Sequence, residues 1–164
     1  MEQLPPREIR LRTLVEVFFA DKNTREELRR GLVMEKDQQT IPALQKKKGR
    51  LLVADDDNVI QKVLSHILSC MGHEVTLAGN GLEASTLFLK GSYDLVITDF
   101  EMPLMNGREL CALVKAKSPN TPVIVITGFW DDTRGDKVTK CADAVVPKPF
   151  SLQELEETVE RLLT

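Results

Sequence analysis

The chain is poor in cysteine, histidine and long apolar runs, and each shortage removes a class of function. Its three cysteines, Cys70, Cys111 and Cys141, are an odd number set far apart, which excludes a disulfide framework and a zinc site. They read instead as small buried hydrophobes. Of the two histidines, His66 falls inside a helical pattern and His73 just before a strand pattern, so neither is assigned a relay role. No stretch approaches the roughly eighteen consecutive apolar residues that span a bilayer. The start of the chain, with Glu2, Pro5, Pro6, Arg7 and Glu8, lacks the apolar segment of a secretory signal. A cytoplasmic protein that does not engage membranes is therefore expected. No internal repeat occurs. At 164 residues, with 42% hydrophobic and 29% charged, there is room for one ordinary domain with a real core and something extra.

The net charge of −3 hides two unlike pieces. Residues 1–50 carry 12 Lys/Arg against 8 Asp/Glu, whereas residues 51–164 carry 10 against 17. In the first piece, Pro5-Pro6 suits a helix start, and Leu11, Leu14, Val15, Phe18 and Phe19 recur at helical spacing over about Arg7 to Ala20. Asp21-Lys22-Asn23 breaks that pattern. Thr24 with Glu27 then has the capping-box arrangement and opens a second helix bearing Leu28, Leu32 and Val33. Two such helices cannot bury their apolar faces alone, so residues 1–36 are expected to pack on the following domain, on a second copy as a homodimer, or on a partner. Residues 37–49 read as a polar linker. Its Lys46-Lys47-Lys48 run reads as solvated, since binding nucleic acid would need a denser basic face.

From Leu51 onward short apolar runs alternate with amphipathic helical patterns. The runs predict strands over Leu51–Ala54, Glu74–Ala78, Asp94–Thr98, Pro122–Thr127 and Ala144–Val146. Helices are predicted near Asn58–Met71, Gly81–Lys90, Gly107–Lys117, Asp131–Lys140 and Leu152–Leu163. Asp57, Asn106 with Glu109, and Ser151 with Glu154 supply caps. Strict alternation of strand and helix means an α/β fold, a parallel sheet with helices on both faces, whose ligands bind beyond the carboxyl ends of the strands.

What stands at those ends decides the functional reading. The first strand ends in Asp55-Asp56-Asp57, the third in Asp99, the fourth in Thr127 and the fifth in Pro147-Lys148-Pro149, while the second ends blandly in Ala78-Gly79. Taken singly, the aspartates could be caps or turn formers, Thr127 a strand residue and Lys148 a surface charge. Those separate explanations leave the coincidence at one sheet edge unexplained.

These residues resemble the receiver domain of bacterial two-component response regulators. The matching motifs are Leu51-Leu52-Val53-Ala54-Asp55-Asp56-Asp57, the run from Asp94 to Asp99 with Met102-Pro103 and Met105-Asn106-Gly107, Val125-Ile126-Thr127-Gly128, and Pro147-Lys148-Pro149-Phe150. The resemblance covers residues 50–164 and nothing before. It implies a flavodoxin-like, doubly wound, five-stranded sheet of order 2-1-3-4-5 behind an N-terminal helical extension. It also implies that Asp99 accepts a phosphoryl group from a partner histidine kinase. Asp55, Asp56, Asp99 and the backbone carbonyl of Glu101 would hold Mg²⁺, a hard cation that takes oxygen ligands. Lys148 would add a second positive charge, and Thr127 would donate its hydroxyl to the new phosphoryl group and so switch protein-protein contacts. The Lys148-Pro149 bond would be cis. Asp57 is expected only to cap.

The chain departs from the family pattern in places. Val145 stands where an aromatic switch residue is usual, which puts the usual coupling to Thr127 in doubt. Cys141 stands where glycine is common, and Phe129-Trp130 places two large aromatics beside the expected signalling face. No output domain is expected after Thr164. Two other readings compete: a Mg²⁺-dependent phosphatase using Asp99 as nucleophile and Glu101 as acid, and a receiver-like scaffold that works without phosphorylation.

Overall fold

A computed structural model describes residues 48–128 and 141–163. The expected helical pair over residues 1–36, nearly all of the linker, Phe129-Trp130 and the helix expected over Asp131–Lys140 lie outside the described residues.

Five strands form one sheet: β1 (Arg50–Ala54), β2 (Glu74–Ala78), β3 (Leu95–Asp99), β4 (Val123–Thr127) and β5 (Ala144–Pro147). All pair in parallel, in the order β2-β1-β3-β4-β5. This is the flavodoxin-like order expected of the resemblance. Four described helices intervene or follow: α1 (Asn58–Cys70), α2 (Gly81–Lys90), α3 (Gly107–Lys117) and α4 (Leu152–Leu162). Every predicted strand and described helix is present, with shifts of one residue at several ends. Asp99 falls inside β3 rather than after it because it is in register with Ile126.

The central strands read as unbroken apolar runs because both of their faces are covered. Leu52, Val96, Val123 and Val125 pack with Ala84 and Phe88 of α2 and with Leu110, Cys111 and Val114 of α3. The alternate residues Leu51, Val53, Leu95, Ile97, Ile124 and Ile126 point to the opposite face, closed by α1 through Leu64, Ile67 and Leu68 and by α4 through Leu155 and Val159. Phe88 and Phe150 are core residues, as expected.

Caps stop and start these helices where the sequence places them. Asp57 accepts from the Val59 N–H at 2.7 Å, and Asn106 and Glu109 form a reciprocal capping box. Ser151 accepts from the Glu154 N–H at 3.1 Å. Asn80, which the sequence reading did not single out, caps α2 through the Glu83 N–H at 2.8 Å.

Two expectations need correction. Of the cysteines, Cys111 is buried and Cys141 partly so, but Cys70 is exposed, because it lies on the solvent side of the last turn of α1 beside His66. Gly49, read as the end of the linker, is buried: its N–H donates to His73 Nδ1 at 3.2 Å and its carbonyl accepts from the Glu74 N–H at 3.0 Å. The buried His73 thus serves as an acceptor at the start of the domain. Among the described residues no helix is long and apolar enough to cross a membrane.

Candidate functional site

The carboxyl ends of β1, β3, β4 and β5 converge on one acidic cluster. Asp55 follows β1 directly and its side chain is only 1% exposed. A carboxylate so buried needs partners for both oxygens. Oδ1 accepts from the Asp57 N–H at 2.9 Å, and Oδ2 accepts from the Lys148 ammonium at 3.1 Å. Asp99 ends β3 and is half-buried; its Oδ1 accepts from the Phe100 N–H at 2.9 Å and lies 3.2 Å from Lys148 Nζ. Lys148 is delivered from the opposite edge of the sheet, immediately after β5. Its own N–H donates to the Thr127 carbonyl at 2.6 Å, which locks the Lys148 backbone to the end of β4. The peptide that follows, Lys148-Pro149, is cis, as expected.

Asp56 is exposed, yet one oxygen from each of Asp55, Asp56 and Asp99 lies within 4.8 Å of the others. One ammonium therefore contacts two of the three clustered carboxylates. Burial holds Asp99 above the usual carboxylate range, and the charge of Asp55 adds to that; Lys148 and the Phe100 N–H pull it down without cancelling the rise. Burial alone would lower Lys148, but Asp99 and Asp55 outweigh it and hold the ammonium above the ordinary lysine value. A hard divalent cation among these oxygens would relieve both effects, so the donor set fits Mg²⁺.

The loop after Asp99 closes tightly. The Gly107 N–H donates to the Phe100 carbonyl at 2.9 Å, and a Cβ at Gly107 would overlap the Asp99 carbonyl oxygen. Glycine is needed there for close backbone approach. Inside the loop, Leu104 holds φ at +70° and the Met105 N–H reaches back to the Pro103 carbonyl at 2.8 Å. A left-handed conformation is uncommon for leucine, and its side chain is left 79% exposed. Glu101 is exposed and lines, with Asp56, Phe100, Met102, Pro103, Asn106 and Arg108, an open groove of about 530 Å³. Thr127 is buried at the end of β4, in register with Pro147. Val145 is half-buried in β5 against the core.

Every candidate from the sequence is thus at this edge: Asp55, Asp99 and Lys148 in direct contact, Asp56 beside them, Glu101 on the adjoining groove, and Thr127 bonded through its backbone to Lys148. The sequence reading missed Gln61, a buried polar residue on the stripe of α1 that also carries Leu64, Ile67 and Leu68. A polar residue on an otherwise apolar helix stripe is the signal that marks it.

Comparison with known proteins points one way. The family model for the response regulator receiver domain matches residues 51–160. Among curated proteins, the probable transcriptional regulator ycf27 of Cyanidium caldarium is 39% identical over 121 residues, covering 72% of this chain and 47% of that protein. The DNA-binding transcriptional regulator NtrC of Bradyrhizobium sp. (strain RP501 Parasponia) is 42% identical over 118 residues, covering 70% of this chain and 24% of its own length. The chain thus spans under half the length of these two relatives. Among solved structures, the response regulator TrrA of Thermotoga maritima in complex with Mg(2+)-BeF is 38% identical with a TM-score of 0.66, covering 71% of this chain and 100% of that one.

Proposed function

The chain belongs to the response regulator receiver domain family, and on that premise we propose that Asp99 accepts a phosphoryl group from a phosphohistidine on a partner kinase. Asp99 Oδ attacks phosphorus, a P–O bond forms, the P–N bond breaks, and the imidazole leaves with the electron pair. Asp99 suits this role because it is ionisable, only half-buried, and held at the end of β3 by its bond from the Phe100 N–H.

The observation that carries the reading is the Lys148 ammonium, set 3.1 Å from Asp55 and 3.2 Å from Asp99 by the junction of β4 and β5. It is already placed to meet the negative charge that arrives on Asp99, without reorganisation at the moment of transfer. Asp55, Asp56, Asp99 and the backbone carbonyl of Glu101 would hold Mg²⁺, which would supply positive charge to offset that of a phosphoryl group. Thr127, buried beside the backbone of Lys148, donates its hydroxyl to a phosphoryl oxygen and so couples the chemistry to the end of β4. The output is a change in protein-protein contacts, with a downstream protein as partner.

Acetyl phosphate and Mg²⁺ test this without a kinase. Intact-mass analysis should show one added phosphoryl group on the wild-type chain and none on Asp99→Asn, since an amide is neither nucleophile nor anionic ligand. Full labelling of the Asn variant would remove Asp99 from the reaction. Sustained release of phosphate from simple phosphoesters would make the protein a hydrolase instead.

A further inference from the structure

We infer that Gln61 is a positioning residue for the acidic site, holding the peptide that joins Asp55 to Asp56 so that both carboxylates converge with that of Asp99. The inference rests on the Mg²⁺ reading above and extends it to a residue that touches neither metal nor phosphate.

The ladders of β1 run only to Ala54, opposite Ala78 on one side and Thr98 on the other. One residue later the chain needs other partners. The Asp55 N–H donates to the Ala78 carbonyl at 3.2 Å. The Asp55 carbonyl takes its hydrogen bond from Gln61 Nε2 at 2.6 Å, and the same amide nitrogen lies 3.2 Å from the Ala78 carbonyl. Gln61 therefore uses both amide hydrogens, one on the end of β1 and one on the end of β2, from a side chain that is 8% exposed.

This geometry bears on the site through the planarity of the peptide. The carbonyl gripped by Gln61 belongs to the Asp55-Asp56 peptide, so its direction also sets where the Asp56 backbone goes. Asp55 carries the buried carboxylate bonded to Lys148, and Asp56 carries the exposed one. With the peptide fixed, the Cα–Cβ directions of Asp55 and Asp56 are set relative to the end of β1, and their carboxylate oxygens lie within 4.8 Å of each other and of Asp99. A hydrophobic residue at 61 would fill the space on the stripe of α1 as well as glutamine does. It would leave a buried carbonyl without its donor and the peptide free to turn. Partners of this outer kind orient metal ligands, and their loss commonly lowers metal affinity by about 10- to 100-fold.

The test uses the full chain, with Gln61→Leu and Gln61→Met as variants that keep the apolar packing and remove the donors. Ile67→Val, a buried change on the same helix away from Asp55, is the control for simple destabilisation. Calorimetric titration with MgCl₂ should give an affinity about tenfold weaker in both Gln61 variants and unchanged in Ile67→Val. In metal-free protein, hydrogen exchange at the Asp57 amide, which is bonded to Asp55 Oδ1, should quicken in the Gln61 variants only. Unchanged Mg²⁺ affinity in both, with a lowered Tm, would overturn the inference and leave Gln61 a brace between strands. Asp56→Ala separates the two levels: if it leaves Mg²⁺ binding intact, the metal assignment fails and the inference falls with it.

Discussion

Lys148 and Asp55 stand 93 residues apart in the chain, and their side chains meet at 3.1 Å. The same ammonium reaches Asp99 at 3.2 Å, so one cation serves two carboxylates from different strands. Neither carboxylate can be understood alone. The pair would repel across a poorly hydrated gap without Lys148, and the ammonium would be costly to hold there without them.

Removing the cation should therefore destabilise the metal-free protein. Lys148→Met is expected to cost about 1–3 kcal/mol, below the value for a fully buried pair because the lysine keeps some contact with water. The pH dependence follows from the raised folded pKa of Lys148. Its stabilisation is fully present below the unfolded lysine value and disappears as pH rises through the folded one. The difference in Tm between wild type and Lys148→Met should accordingly be constant near neutrality and close in the alkaline range. A gap that stays open at high pH would show that the lysine acts through its methylene packing rather than its charge.

Asp99→Asn should change stability in the opposite sense. The folded pKa of Asp99 is raised, chiefly by burial and then by Asp55, so its ionised form strains the metal-free fold at neutral pH. The wild type should gain stability as pH falls through the folded value to the unfolded one, the range in which folded Asp99 holds a proton that unfolded Asp99 does not. The neutral amide removes that strain at every pH. A Tm a few degrees higher than wild type is expected without metal at neutral pH, with a smaller further rise on adding Mg²⁺. A lower Tm would mean that the bond to Lys148 matters more than the burial and repulsion it offsets.

Asp56→Ala separates binding from folding. Its carboxylate is exposed, so its loss should leave the metal-free stability within about 0.5 kcal/mol of wild type. On the proposed metal assignment, its removal should weaken Mg²⁺ at least as much as losing an outer partner does, about tenfold or more. Titration calorimetry with MgCl₂ reads the second quantity and thermal melting in chelator the first. Equal affinity in the variant would place the metal elsewhere.

The legible parts of this fold are those where burial leaves a one-dimensional trace. β3 and β4 are covered on both faces, so Leu95–Ile97 and Val123–Ile126 appear as unbroken apolar runs, and Asn106 with Glu109 marks the start of α3 by side-chain chemistry alone. The gathering of Asp55, Asp99, Thr127 and Lys148 at one edge follows from strand alternation, because parallel strands all end on the same side. What stays hidden depends on contacts distant in sequence. Nothing local says that Gly49 is bonded to His73, that Gln61 grips the Asp55 carbonyl, or that Leu104 adopts a left-handed backbone. The exposure of Cys70 was missed for a related reason: composition favours buried cysteine, whereas its position on the solvent side of α1 decides the matter.

Gly107 offers a sharper probe of how the site is shaped. At the first turn of a helix, alanine in place of glycine usually stabilises, by lowering the entropy of the unfolded chain. Here the added Cβ would overlap the Asp99 carbonyl oxygen, which also accepts from Thr98 Oγ1 at 2.9 Å and cannot retreat freely. Gly107→Ala must therefore push α3 away from the end of β3 or turn the Asp99 peptide, at about 2–3 kcal/mol. Turning the Asp99 peptide displaces its carboxylate from Lys148, and moving α3 loosens the loop that closes on Asp99, so phosphorylation by acetyl phosphate should slow along with the fall in Tm. Gly79→Ala is the matched comparison, since its Cβ would meet only Glu83 Oε2 at 3.5 Å and Gln61 Nε2 at 3.8 Å, both ordinary contacts. It should stay within about 0.5 kcal/mol of wild type and label at the same rate. If Gly107→Ala instead matched wild type in both stability and rate, the loop would have to absorb a methyl group against backbone, and the tight closure of residues 99–107 would no longer explain how Asp99 is aimed.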